Sequence, residues 1–134
     1  RFGIPDFPAQ PVRLPLRNGR SLVELPAATL TLFGRHFPVA GGGYHRLLPF
    51  PLIRWVIERT VLARDVFMAY CHPYEFDPDE FAHLGYQLPL KTRLHQGLGR
   101  RGFEGKFRRM LSEFETSRAI EIAERSDWPE HSLT

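Results

Sequence analysis

Six consecutive apolar residues, Val66-Phe67-Met68-Ala69-Tyr70-Cys71, stand between Asp65 and His72. A run this short and unbroken predicts a strand covered on both faces, as in a parallel sheet flanked by helices. The preceding segment agrees with that reading. Leu52, Ile53, Val56, Ile57, Thr60 and Val61 recur at three- and four-residue steps, with Arg54, Glu58 and Arg59 between them. This spacing predicts an amphipathic helix of about three turns. Pro49 and Pro51 stand at its start, where a missing N–H is tolerated. Further upstream, Ser21 to Leu25 and Thr29 to Phe33 read as two short strands, or one kinked strand, broken by Pro26. Strand, helix and buried strand in that order make a βαβ unit, so the expected fold class is α/β. Chemistry in such folds collects at the carboxyl ends of strands, which puts His72 where a catalytic residue is expected.

Around this unit, the first 20 residues carry Pro5, Pro8, Pro11 and Pro15. They predict an extended arm that buries Phe2, Ile4, Phe7 and Leu14 against another part of a protein. Gly34 to Tyr44, with Pro38 and the run Gly41-Gly42-Gly43, reads as a loop in which backbone comes close to its surroundings. Beyond Asp77 lies a turn-rich stretch, then Phe103, Phe107, Met110, Leu111 and Phe114 at helical spacing. A further short helix is expected over Ala119, Ile120, Ile122 and Ala123 with Ser117 as N-cap, followed by a frayed tail from Trp128 to Thr134. The expected organisation is a single partial domain: an arm over 1–20, a strand-helix-strand body over 21–77, and a basic helical extension over 78–134. A length of 134 residues excludes a second full domain, and 43% hydrophobic residues suffice for a packed core. The start at Arg1 is expected of a processed product or a piece of a longer chain.

Charge and cysteine usage narrow the classes further. A single cysteine excludes an internal disulfide and any multi-cysteine zinc site. The net charge is only +3, so no strong global field for nucleic acid is expected. The charge is unevenly placed. Between Lys91 and Arg109 seven basic residues face one acid, Glu104, so the rest of the chain is net negative. No apolar run approaches the length of a membrane span.

Three separated motifs then carry a resemblance. Glu24-Leu25-Pro26, Gly41-Gly42-Gly43-Tyr44-His45-Arg46-Leu47-Leu48-Pro49 and Cys71-His72-Pro73-Tyr74-Glu75 occur in that order. Together with the Lys91 to Phe114 segment, they resemble the C-terminal part of bacterial polysaccharide deacetylases of the NodB-homology class, in the subgroup associated with exopolysaccharide loci. The resemblance implies the C-terminal portion of a distorted, incomplete (β/α) barrel with a C-terminal helical extension. It implies hydrolysis of N-acetyl groups on a polysaccharide, with His72 as the general acid that protonates the departing amine. Tyr44, Arg46, Tyr74 and Glu75 would line the saccharide site. It also implies a divalent metal, zinc, cobalt or manganese, in the full-length enzyme. The family's paired aspartates and His-x-x-x-His pair are absent here, so this chain alone is expected to hold no metal and to lack activity. The subgroup's aromatic after Gly-Gly-Gly-Tyr and its tryptophan after His-Pro are replaced by His45 and Tyr74. The expected partners are N-acetylated polysaccharide, the missing N-terminal part of the barrel and a further copy of the chain, in a bacterial cytoplasm or cell envelope.

Other readings of the same residues stay open. His72 before a proline also suits a structural cap; Glu75 and Asp77 suit solvated loop carboxylates, or either one orients His72. A metal held by His72, Glu75 and Asp77 alone is a weak signal. Cys71 cannot form a dyad with His72, because neighbouring residues in a strand point to opposite faces. The triple glycine lacks the Lys-Ser/Thr ending of a nucleotide loop. The competing function is a non-catalytic module that binds an anionic polymer through residues 91–109. A third is a scaffold half that joins a separate N-terminal chain along an exposed barrel edge.

Overall fold

The computed structural model describes residues 7–125 and 127–132. It contains two small antiparallel hairpins and six helices among those residues. The first hairpin pairs β1 (Val12–Pro15) with β2 (Ser21–Glu24). Its loop turns at Gly19, which sits at φ +76, where a side chain would be strained. The arm expected over 1–20 is thus partly a strand. Val12 and Leu14 point into the core, and Pro15 ends the strand, where a missing donor costs no ladder bond. Phe2 and Ile4 lie outside the described residues.

The second hairpin pairs β3 (Thr29–Leu32) with β4 (Arg35–Pro38), a strand where a loop is expected. Its two-residue turn, Phe33-Gly34, has both φ angles positive, at 50 and 70. That is the turn geometry whose twist matches the flanking strands. All four β4 residues are exposed, so no apolar alternation announced the strand.

Two helices follow, α1 (Gly42–Leu47) and α2 (Phe50–Arg64). In α2 the residues Ile53, Val56, Ile57 and Thr60 are buried, while Leu52 and Val61 at the margins of the predicted stripe stay partly exposed. Asp65 closes the helix in the left-handed conformation, its N–H donating to the Val61 carbonyl at 2.7 Å.

The expected buried strand Val66–Cys71 is corrected by the structure. The segment is extended and runs parallel to the chain at Gly41, with Tyr70 N–H donating to the Ala40 carbonyl and Ala28 N–H donating to the Met68 carbonyl, both at 3.0 Å. It forms one bridge rather than a ladder. Residues 66–69 are half-buried and Tyr70 is exposed, because among the described residues no strand pairs along its other edge.

The C-terminal third holds a 3-10 turn (Pro73–Phe76), α3 (Glu80–His83), α4 (Leu90–Gly97), α5 (Arg100–Glu113) and α6 (Ala119–Ala123). Arg118, not Ser117, occupies the N-cap of α6. The expected frayed tail is also corrected. Trp128 is buried and its indole N–H donates to the Ile122 carbonyl at 2.6 Å. Arg13 N–H donates to the Pro129 carbonyl and His131 N–H to the Arg13 carbonyl, so the tail docks on the first hairpin as a parallel neighbour.

Two clusters of buried residues pack around α2. Ala28, Leu30, Val39, Ala40 and Val56 pack the second hairpin on α2, and Phe50, Ile53, Ile57 and Met110 pack α2 on α5. Phe67, from the extended segment, touches both. The segment that leads to His72 is thereby set between the two layers.

Candidate functional site

His72 ends the extended segment and Pro73 starts the 3-10 turn, whose fixed φ suits that position. The imidazole is exposed to solvent. Tyr70 meets it edge-on at 5.8 Å between ring centroids, and Tyr74 stacks on it at 5.3 Å with planes 9° apart. Tyr70 was not singled out from the sequence. The available signal was its place two residues before His72, on the same side of an extended chain. Its hydroxyl packs against Gly41, where a Cβ would stand 3.1 Å from the oxygen.

Beneath this aromatic surface lies a buried ion pair. Glu75 is 1% exposed and Arg46 is 4% exposed, and Arg46 Nε donates to Glu75 Oε1 at 3.2 Å. The other carboxylate oxygen accepts the His72 backbone N–H at 2.9 Å. The carboxylate rests on the α1 backbone at Gly42, where a Cβ would lie 1.9 Å from Oε2. Only glycine leaves room for it there. One side of the triple glycine is therefore a seat for Glu75, and the partial positive charge of the first turn of α1 favours an anion in that place.

Arg46 also donates to the carbonyls of Gln96 and Leu98, the latter at 3.1 Å. At Gly99, with φ +82, a Cβ would come within 2.6 Å of the Arg46 carbonyl oxygen. Lys106 of α5 donates to the carbonyls of Arg46 and Leu48 at 2.7 and 2.8 Å, capping the carboxyl end of α1. Burial pushes the Lys106 ammonium below the usual lysine range. Arg100, also buried, donates to the carbonyls of Gln96 and Asp77 and to Glu80 Oε2, and its guanidinium lies over the rings of Tyr74 and Phe81. Phe76 is set edge-on against Phe103 and Phe107. The loop bearing His72 is thus fastened to α1 by Glu75 and to α5 by Tyr74 and Phe76.

The predicted site residues fall into two groups. His72 and Tyr74 share the open surface, whereas Arg46 and Glu75 face each other in the interior, where no saccharide reaches them. Tyr44 is exposed on α1 and makes no ring contact with His72. Cys71 is half-buried; burial first, and the Glu75 charge second, push its thiol above the usual range, which leaves it a poor nucleophile. His45 is buried with Nε2 unpartnered, and burial pushes its imidazole below the ordinary histidine value against the opposing pull of a hydrogen bond to the Val39 backbone and, after it, of the Glu75 charge. Among the described residues no three His, Cys, Asp or Glu side chains stand together as a metal site, and His72, Glu75 and Asp77 do not form one. No described helix is long and apolar enough to cross a membrane.

The basic segment does not form one face. Arg100 and Lys106 are turned inward, Arg108 pairs with Glu104, and Arg109 pairs with Glu113 and covers the Phe50 ring. Among the described residues Lys91, Arg93 and Arg101 have no carboxylate partner.

A family model described as a domain of unknown function, DUF3473, matches residues 1–124. Comparison with curated proteins gives no match, and comparison with solved structures gives none.

Proposed function

The chain belongs to the DUF3473 family, and from that premise we propose that it is the C-terminal segment of a bacterial polysaccharide N-deacetylase. In this reading the segment completes a distorted (β/α) barrel and supplies the general acid, His72. The observation that carries it is the placement of His72: an exposed imidazole between two tyrosine rings, on a loop whose backbone is held by a buried carboxylate. Two of the three motifs that resemble the NodB class support the same reading, because they meet here. Gly41 and Gly42 receive Tyr70 and Glu75, and Arg46 receives Glu75.

Amide hydrolysis passes through a tetrahedral intermediate whose amine leaves poorly until it is protonated. An imidazolium at His72 supplies that proton to the sugar nitrogen. Tyr70, which is exposed, offers a flat apolar face with a polar tip, suited to a pyranose ring of an N-acetylated polysaccharide, while Tyr74, stacked on His72 and covered by Arg100, is left its edge and hydroxyl for such a contact. Tyr44, exposed on α1, is retained as a further contact. Arg46 and Glu75 are assigned a different task from the one expected of them: they hold the His72 loop rather than touch the sugar. The divalent metal implied by the resemblance does not fit the described residues of this chain, so its ligands are assigned to the upstream part of the enzyme.

The test is an assay on N-acetylated oligosaccharide with zinc, cobalt or manganese added. It compares the 134-residue chain, the same chain extended upstream through the metal motifs, and the His72→Ala variant of the extended form. Activity confined to the extended form and lost with His72→Ala is the expected result. An inert extended form overturns the assignment, and an active 134-residue chain overturns the placement of the metal.

A further inference from the structure

Helix α4 is built inside out. Thr92 and Gln96, one turn apart, are half-buried and mark the inward side of the helix, while Arg46 and Arg100 tie down its carboxyl end through the Gln96 carbonyl. Leu90, Leu94 and Leu98, one turn apart on a single stripe, are 69%, 58% and 61% exposed. An amphipathic helix on a finished surface shows the opposite order. Two hollows flank the stripe, of about 350 and 320 Å³, and Arg93 lines both. Apolar walls of the first come from Phe81 and Tyr86, and Arg101 closes the second.

Charge surrounds the leucines on both sides. At 100° per residue, Lys91 and Arg93 fall on opposite shoulders of the stripe, and Arg101 stands in the first turn of α5. None of the three has a carboxylate partner among the described residues, and the fourth basic residue without one, Lys106, is spent on the carbonyls of Arg46 and Leu48. The exposed carboxylates Glu58, Glu104, Glu113, Glu121 and Asp127 are paired within the chain, while Asp77, Asp79, Glu115 and Glu130 are exposed without an ion pair among the described residues, so a second copy is the competing occupant that the test below separates.

We propose that α4 and the first turn of α5 form a docking surface for a bilayer that carries anionic lipid. The leucines enter the interfacial zone, and Lys91, Arg93 and Arg101 extend their stems over the apolar surface to meet phosphates. The helix lies on the bilayer and does not span it. A polysaccharide or nucleic acid would use the cations but leave the leucine stripe uncovered, whereas a leaflet uses both. This goes beyond the deacetylase reading and does not depend on it.

The experiment is cosedimentation of the full 134-residue chain, and of its upstream-extended form, with vesicles of phosphatidylcholine alone or with about one-third phosphatidylglycerol. Both forms are expected to bind the anionic vesicles at least about tenfold more tightly, and to release as salt is raised. Arg93→Glu and Leu94→Glu should each weaken binding by about fivefold or more, while Leu62→Glu, an exposed leucine on α2, should not. Equal binding to both vesicles, or binding indifferent to Leu94→Glu, overturns the proposal. A dimer in light scattering that Leu94→Glu dissolves, without vesicle binding, overturns it in favour of a second copy. Binding that vanishes in the extended form overturns it too, by placing the face inside a larger domain.

Discussion

Helices α4 and α5 are neighbours in the chain, share a basic composition and are turned opposite ways. In α5 the apolar residues Phe103 and Met110 are buried and most charges are spent within the chain. In α4 the leucines face solvent and three nearby charges are unspent. The difference teaches that a basic run in a sequence is not a basic face. Half of residues 91–109 is internal scaffolding for the loop of His72, and half is open surface.

The comparison breaks most visibly at the scaffold. Removing one partner of the buried pair, by Arg46→Ala or Glu75→Ala, should destabilise the chain by about 3–5 kcal/mol in urea unfolding, because an uncompensated charge is left inside. Replacing both with apolar residues, Arg46→Met with Glu75→Leu, should cost much less than the two single losses combined. Additive losses would mean that the pair is not coupled. Gly42→Ala comes next. Its Cβ would displace the Glu75 carboxylate, at a cost of about 1–3 kcal/mol, with the amide signal of His72 moving in NMR spectra.

A smaller effect depends on pH. The folded chain holds His45 neutral, chiefly through burial, so its folded value lies below the unfolded one. Stability from this residue is full above about pH 6.5 and is lost as pH falls, since the unfolded chain takes up the proton first. A hydrogen bond to the Val39 backbone and then the Glu75 charge oppose this shift, and Lys106 adds to it. His45→Phe should flatten the fall in stability between neutral and mildly acid pH, measured by thermal unfolding at each pH. The smallest effect belongs to α4: Leu94→Glu should change stability by no more than about 0.5 kcal/mol in the same unfolding experiment. A large loss there would show that the outward stripe is packed after all.

Much of the α5 side of this contrast was legible in the residue order. The period of Phe103, Phe107, Met110, Leu111 and Phe114 gave the helix, of which Phe103 and Met110 are buried while Leu111 is exposed and Phe114 caps the end. Ile53, Val56 and Ile57 gave the buried face of α2. His72 at the end of an extended apolar run was equally readable. The pairing of Arg46 with Glu75 was not, because 29 residues separate them and either one alone looks like a surface charge. The α4 stripe could be counted at a period of four, but counting could not say which way it faces; the packing of Thr92 and Gln96 against the body of the chain decides that. Trp128 and β4 were missed because their order comes from docking on distant segments and from turn geometry, neither of which leaves a hydrophobic period.

The central claim is that the scaffolded loop presents His72 as a proton donor to a leaving amine. The most direct test compares two substrates in the upstream-extended enzyme: an N-acetylated amino sugar, whose amine needs a proton to leave, and an acetanilide activated to leave without one. His72→Ala should lose about 10² to 10⁴ in rate on the sugar and far less on the activated anilide. Equal losses on both would show that His72 supports the fold or the binding surface and donates no proton.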